Sequence, residues 1–305
     1  MLSVTFLGTG AACPTLDRNV AALALQREGE TLLFDCGEGT QRQMMRYGVS
    51  FSVAEVFFSH YHADHFLGIT GLLRTLGLQD RTAPMTLYGP RGAERILGAA
   101  VTLGFEKPKF KVEIVELKAG EVLKRDGYDL HVVAADHRSD TVGYALVEHL
   151  RLGRFDVEQA RALGIPEGPL WGKIHKGEPV VLPDGRTVAP EELVGKARPG
   201  RRVVYSGDTR PCAAITEAAR GADLLVHEAT FGEEERDRAR ETGHSTAREA
   251  AEVARKAGVR RLALTHLSAR YTREAPEILA EAQAVFPETV IARDGLKIEV
   301  PFRDE

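Results

Sequence analysis

Four side chains able to bind a metal fall within six residues, in the run His60-Tyr61-His62-Ala63-Asp64-His65. Imidazole nitrogens and carboxylate oxygens are donors that Zn²⁺ accepts, so the run is chemically coherent as a metal site. It follows the apolar stretch Val56-Phe57-Phe58, which reads as a buried strand. If that strand persists, His60 and His62 project to the same side, while Asp64 and His65 open the next helix. Two pairs of ligands aimed at neighbouring positions invite two metals rather than one. His137, Asp208 and His266 each follow an apolar stretch as well. Singly, each is equally well a capping or surface residue; together they can reach one edge of a sheet. Seven ligands with one shared carboxylate satisfy two metals and leave room for a water.

The elements that must position these residues alternate along the chain. Strands are expected at residues 4–7, 31–34, 55–59, 85–88, 130–134, 141–147, 202–205, 223–227, 261–265 and 297–300. Helices are expected at 40–47, 66–79, 92–103, 213–219, 245–257 and 273–285, with Ser245 starting the fifth. Interleaving of this kind implies an α/β layered domain. Residues 150–202 interrupt the pattern with eight Gly and six Pro, and read as a long loop-like, protruding insertion. They carry ten basic and seven acidic residues, a local net charge of +3.

The chain has 305 residues, 43% of them hydrophobic and 28% charged, which excludes a disordered protein. No apolar run reaches the length of a membrane span, and no signal peptide is evident. Cys13, Cys36 and Cys212 are odd in number and scattered, which fits a reducing compartment and a cytoplasmic protein. A net charge of −4 argues against a dedicated nucleic-acid binder, but it averages the +3 insertion over a −7 remainder. Asn19 is the sole asparagine.

The run His60-x-His62-x-Asp64-His65, followed by His137, Asp208 and His266, resembles the metallo-β-lactamase superfamily, and Asp35 matches its first acidic motif. The resemblance covers nearly the whole chain. It implies an αββα sandwich over residues 1–305, with a dinuclear metal site at one edge. Within the superfamily, Ala135-Asp136-His137, His227-Glu228-Ala229-Thr230 and Gly243-His244-Ser245 resemble the motif set of the ribonuclease Z family. Residues 163–170, which hold Gly168 and Pro169, resemble the Gly-Pro motif of the flexible arm in that family's short form, an exosite for transfer RNA. Pro14-x-x-x-Arg18-Asn19 resembles its substrate-loop motif, with Leu16 where the family often has Lys.

This resemblance implies a zinc-dependent endoribonuclease that removes the 3′ trailer of precursor tRNA, leaving a 3′-hydroxyl and a 5′-phosphate. It also implies a homodimer, with no membrane and no DNA partner. Two zinc ions per subunit would be held by His60, His62, His137 and Asp208, and by Asp64, His65, Asp208 and His266. Asp64 would take the proton of the attacking water, and His244, held by Glu228, would protonate the departing 3′-oxygen or stabilise the phosphorane-like charge. Arg18, Asn19, Gly168, Pro169, Lys173 and Lys176 would contact the substrate. The alternative is a superfamily hydrolase acting on a small phosphodiester, sulfate ester or thioester, which has no need of a basic insertion.

Overall fold

The computed structural model describes residues 1–104 and 107–303. The first half runs β1 (Leu2–Gly8), β2 (Ala22–Arg27), β3 (Glu30–Phe34), α1 (Thr40–Tyr47), β4 (Glu55–Phe57), α2 (Ala63–Phe66), α3 (Gly68–Leu78), β5 (Met85–Gly89), α4 (Ala93–Thr102), β6 (Val112–Glu116), β7 (Val122–Arg125), β8 (Tyr128–Ala134) and β9 (Val142–Glu148). An inserted segment holds α5 (Val157–Ala162), α6 (Pro169–His175), β10 (Val180–Val181) and β11 (Thr187–Val188). The chain then continues through β12 (Arg202–Tyr205), α7 (Ala213–Ala218), β13 (Leu224–Glu228), α8 (Arg236–Thr242), α9 (Ala247–Ala257), β14 (Leu262–Thr265), α10 (Pro276–Gln283), β15 (Thr289–Ile291) and β16 (Lys297–Glu299).

Two compact units result, Met1–Val147 with Arg201–Glu305, and Glu148–Gly200. The first contains two seven-stranded sheets, ordered β16-β1-β2-β3-β4-β5-β6 and β15-β14-β13-β12-β9-β8-β7. Their inner faces share one core, in which Phe34, Phe57, Tyr144 and Tyr205 meet Leu224 and Val226. The outer face of the first sheet buries Met44, Leu72 and Leu97 from α1, α3 and α4. That of the second buries α7, α9 and α10. This is the αββα arrangement. Helix α9 illustrates its construction: Ala247, Ala250, Ala251, Ala254 and Ala257 are all buried, so small side chains line the face against the sheet. Its start is a capping box between Thr246 and Glu249, one residue beyond the expected Ser245, and Gly258 ends it at φ 64°.

Strand order places the chemistry. β3, β4 and β5 run parallel, as do β12, β13, β14 and β15. Their carboxyl ends are where side chains from successive crossovers converge. β4 stops at Phe57, not at residue 59: Phe58 N–H makes the last ladder bond to β5, at Tyr88 O, and Ser59 N–H then turns to the Asp35 carboxylate. His60 and His62 therefore share a direction through the loop that follows, not through strand alternation.

The second unit is not a bare loop. Ala160, Ile165, Ile174, Val180, Leu182, Val188 and Leu193 form a small core of their own, flanked by Phe155 and Trp171. The high Gly and Pro content hid these short elements. Arg201 and Arg202 lie outside it: Arg201 is buried against the ring of Phe302, and Arg202 begins β12. Glu148 lies inside it, so the unit carries eight basic and eight acidic residues and is neutral, not +3. Among the described residues, no helix is long and apolar enough to cross a membrane.

Candidate metal centre

The ends of β4, β8, β12 and β14 bring seven ligand atoms together. His60 Nε2 lies 2.9 Å from His62 Nδ1, which is 3.3 Å from His137 Nε2. Asp208 Oδ2 is 3.6 Å from His60 Nε2 and 3.3 Å from His65 Nε2. His266 Nε2 is 3.1 Å from His65 Nε2, 3.2 Å from Asp64 Oδ2 and 3.5 Å from Asp208 Oδ2. Three groups emerge, each able to hold an ion: His60, His62, His137 with Asp208; Asp64, His65 with His266; and Asp208, His244 with His266, which overlaps the other two. Asp208 stands within reach of the first two. Its second oxygen, Oδ1, is buried with no hydrogen-bond partner among the described residues. Ring nitrogens that face one another and an orphaned buried carboxylate oxygen are a donor set fitted to cations.

Four of the histidines, His60, His65, His137 and His266, are held from behind through their second ring nitrogen, as metal sites commonly are. Asp35, fully buried at the end of β3, takes Ser59 N–H at 2.7 Å on one oxygen. On the other it takes His65 Nδ1, Ser59 Oγ and Tyr205 Oη at 2.8, 2.8 and 2.6 Å. Ser59 Oγ is also 3.0 Å from His60 Nδ1, His137 Nδ1 donates to Gly243 O at 2.6 Å, and Thr230 Oγ1 reaches His266 Nδ1 at 2.9 Å. Asp35 and His266 both adopt positive φ, 55° and 56°. Strain of this kind persists only where the surroundings fix it. Gly207, at φ 60°, has no room for a side chain, since a Cβ there would lie 2.8 Å from Ser59 Cβ.

The electrostatics divide the histidines. Burial pushes His60, His62 and His137 below the usual imidazole range, keeping them neutral and able to coordinate. Burial also opposes charge on His65, but Asp208 and Asp35 overcome it and raise its pKa. Asp208 and Asp64 are held ionised against burial, Asp208 by the charges of His266 and His65, Asp64 by the hydrogen bond from His266 and the charge of His65. His244 Nδ1 sits 2.8 Å from Glu228 Oε1, and Glu228 overcomes burial to push it up to about 9. Glu228 is itself anchored by Thr209 N–H and by Thr230, so the pair is fixed beside Asp208.

The remaining expected site residues divide. Arg18 is 3% exposed, and its guanidinium donates to Thr9 Oγ1, Ala292 O and Arg273 O at 2.8, 2.7 and 2.6 Å. Through these bonds it holds its loop to Ala292 and Arg273, while its Nε has no partner among the described residues. Asn19 is half-buried, donates through Nδ2 to Glu38 O, and lines a cleft of about 370 Å³ with Pro14, Leu16 and Arg42. Gly168, Pro169, Lys173 and Lys176 all lie in the second unit, at the start and along the exposed side of α6. Ser59, Tyr205 and Thr209 were not among the expected site residues, and Thr230 was marked only as the end of the His227-Glu228-Ala229-Thr230 motif. Ser59's position next to His60 offered a further signal.

Comparison with known proteins gives two family matches, "Anti-Pycsar protein Apyc1" over residues 2–151 and "Beta-lactamase superfamily domain" over residues 192–267. The chain is 59% identical to Ribonuclease Z of Gemmatimonas aurantiaca, covering 100% of this chain and 98% of that protein. It is 57% identical to Ribonuclease Z of Myxococcus xanthus, covering 100% and 99%. The structure superposes on human tRNase Z, short form, with a TM-score of 0.70 at 27% identity, covering 98% of this chain and 100% of that one.

Proposed function

The chain belongs to the ribonuclease Z family of endoribonucleases, and from that premise we propose that it cuts the 3′ trailer from precursor tRNA with two zinc ions per subunit. The observation that carries the reading is the convergence of seven ligand atoms beside a fixed His244–Glu228 pair. His60, His62, His137 and Asp208 would hold one ion; Asp64, His65, His266 and the shared Asp208 the other. When bound, the two ions supply an acidified water and neutralise the non-bridging phosphate oxygens.

The chain's own residues supply the proton transfers. Asp64 turns Oδ2 toward His266 and His65, which leaves Oδ1 for the proton of the attacking water. His244, protonated by its pairing with Glu228, donates to the 3′-oxygen as the P–O3′ bond breaks. The products are a tRNA ending in a 3′-hydroxyl and a trailer with a 5′-phosphate. In this reading Gly168, Pro169, Lys173 and Lys176 grip the RNA, Asn19 contacts it near the cut, and the enzyme works as a cytoplasmic homodimer in which one subunit's arm presents substrate to the other.

The test is end-mapping of a trailer-bearing precursor after incubation with zinc-loaded enzyme, with metal analysis alongside. The expected result is a 3′-hydroxyl on the tRNA, a 5′-phosphate on the trailer and close to two zinc ions per chain. Turnover of a small chromogenic diester with the precursor left intact would favour a small-molecule hydrolase instead.

A further inference from the structure

The segment between β1 and β2 holds a further backbone outlier beside the proposed metal ligands. Ala12 sits at φ 62°, in the left-handed region that costs a non-glycine residue about 1 kcal/mol or more. Cys13 N–H donates to Ala11 O across it at 2.7 Å, the hydrogen bond of a γ-turn. The turn aims Ala12 N–H at Asp64 Oδ2, 2.8 Å away, the same oxygen that faces His266 and His65.

The turn is anchored at both ends. Ala11 N–H donates to Leu267 O and Leu267 N–H to Thr9 O, both at 2.9 Å, so the loop is tied to the residue after His266. Behind it stands Asp294, which accepts Thr9 Oγ1–H at 2.8 Å, Asn19 N–H at 2.7 Å and Gln43 Nε2–H at 2.7 Å. Arg18 closes the clasp by binding Thr9 Oγ1 and two backbone carbonyls.

We infer that residues 11–19 act as a clamp on Asp64: the strained turn at Ala12 holds a backbone N–H against the metal-facing oxygen of that carboxylate, and Asp294 and Arg18 lock the turn in place. The inference rests on Asp64 as a metal ligand. It gives the loop a positioning role, carried by its backbone, that its side chains do not reveal. With Oδ2 fixed toward Ala12 N–H, His266 and His65, the carboxylate is kept from rotating, and Oδ1 would stay free to take the proton of a water.

Proline is the one substitution that removes the N–H, and it also forbids φ 62°. Ala12 is exposed, so the change leaves the core alone. The test titrates metal-free Ala12→Pro, Ala12→Gly and Asp294→Ala proteins with Zn²⁺ against a chromogenic chelator. Ala12→Pro should weaken one of the two sites about 10- to 100-fold, the range for losing a group that orients a ligand. On a small diester it should lower kcat with little change in KM. Ala12→Gly keeps the N–H and relieves the strain, so it should retain wild-type zinc affinity. Asp294→Ala should weaken the same site by a smaller factor, and if it fails to fold the Ala12 pair still decides. Wild-type zinc affinity in Ala12→Pro overturns the clamp, as does a defect confined to KM for precursor RNA, which would make the loop a substrate contact. A wild-type enzyme inactive on precursor, with zinc still lost in Ala12→Pro, would overturn the functional reading alone.

Discussion

At the scale of single residues, the histidines divide, and His244 stands outside the neutral set. His60, His62 and His137 are kept neutral by burial, whereas Glu228 holds His244 protonated at neutral pH. The proton on His244 is present below its pKa and lost as pH rises through it, so a reaction that needs His244 as an acid fails on the alkaline side. Glu228→Gln keeps the shape and removes the charge. An opposite charge at this range is worth about one to three pKa units, so the alkaline limb of kcat/KM should move to lower pH by about a unit or more. A pH–rate profile measured with a small diester checks it; an unmoved limb removes His244 from the proton transfer. The run His60 to His65 was legible because all four donors are neighbours in sequence. The structural role of Arg18 was not legible, because its type suggests a phosphate contact while its partners, Ala292 and Arg273, lie more than 250 residues away.

At the scale of elements, the site is a set of strand ends fastened together from behind. Asp35 joins three of them, accepting from Ser59 after β4, from His65 in α2 and from Tyr205 at the end of β12 in the other sheet. Spacing could not reveal this, since Tyr205 is 170 residues from Asp35 and no local pattern links them. Strands were missed for a related reason. β2, Ala-Leu-Ala-Leu-Gln-Arg, has no β-branched residue, and becomes a strand only because β1 and β3 pair with it on both sides. Asp35→Asn keeps the volume but removes acceptor capacity, leaving buried donors on His65 and Tyr205 competing for one oxygen. It should destabilise the metal-free protein by about 1–3 kcal/mol, the cost of an unsatisfied buried polar group, and weaken zinc binding. Denaturant unfolding of the metal-free protein reads the first effect. A variant with unchanged midpoint and unchanged zinc affinity would show that the β3–β4–β12 junction does not depend on this carboxylate.

At the scale of the whole molecule, charge has to be read from surfaces, not from totals. The inserted unit was expected to be basic, but it is neutral once Arg201 and Arg202 are assigned to the strands and Glu148 to the unit. Any grip on RNA must then come from a few placed cations and from shape. Lys173 and Lys176 are three residues apart on the exposed side of α6, which Gly168 and Pro169 open; Gly168 and Gly172 present no side chain there, so a sugar-phosphate backbone can approach closely. Each phosphate contact contributes about −0.9 to the slope of log K against log salt on duplex, so Lys173→Ala with Lys176→Ala should flatten that slope by roughly 2. Removing the unit tests the same point more severely. Val147 and Arg202 are cross-strand partners on β9 and β12, so Asn-Gly can replace residues 149–200 and the sheet can still close. Precursor affinity, followed by fluorescence anisotropy at fixed salt, should fall about tenfold or more, ~1.4 kcal/mol, while hydrolysis of a small diester stays within about twofold. Unchanged precursor affinity would mean that the RNA is held by the sandwich itself, and would move the search for its contacts to the cleft beside Asn19 and Arg42.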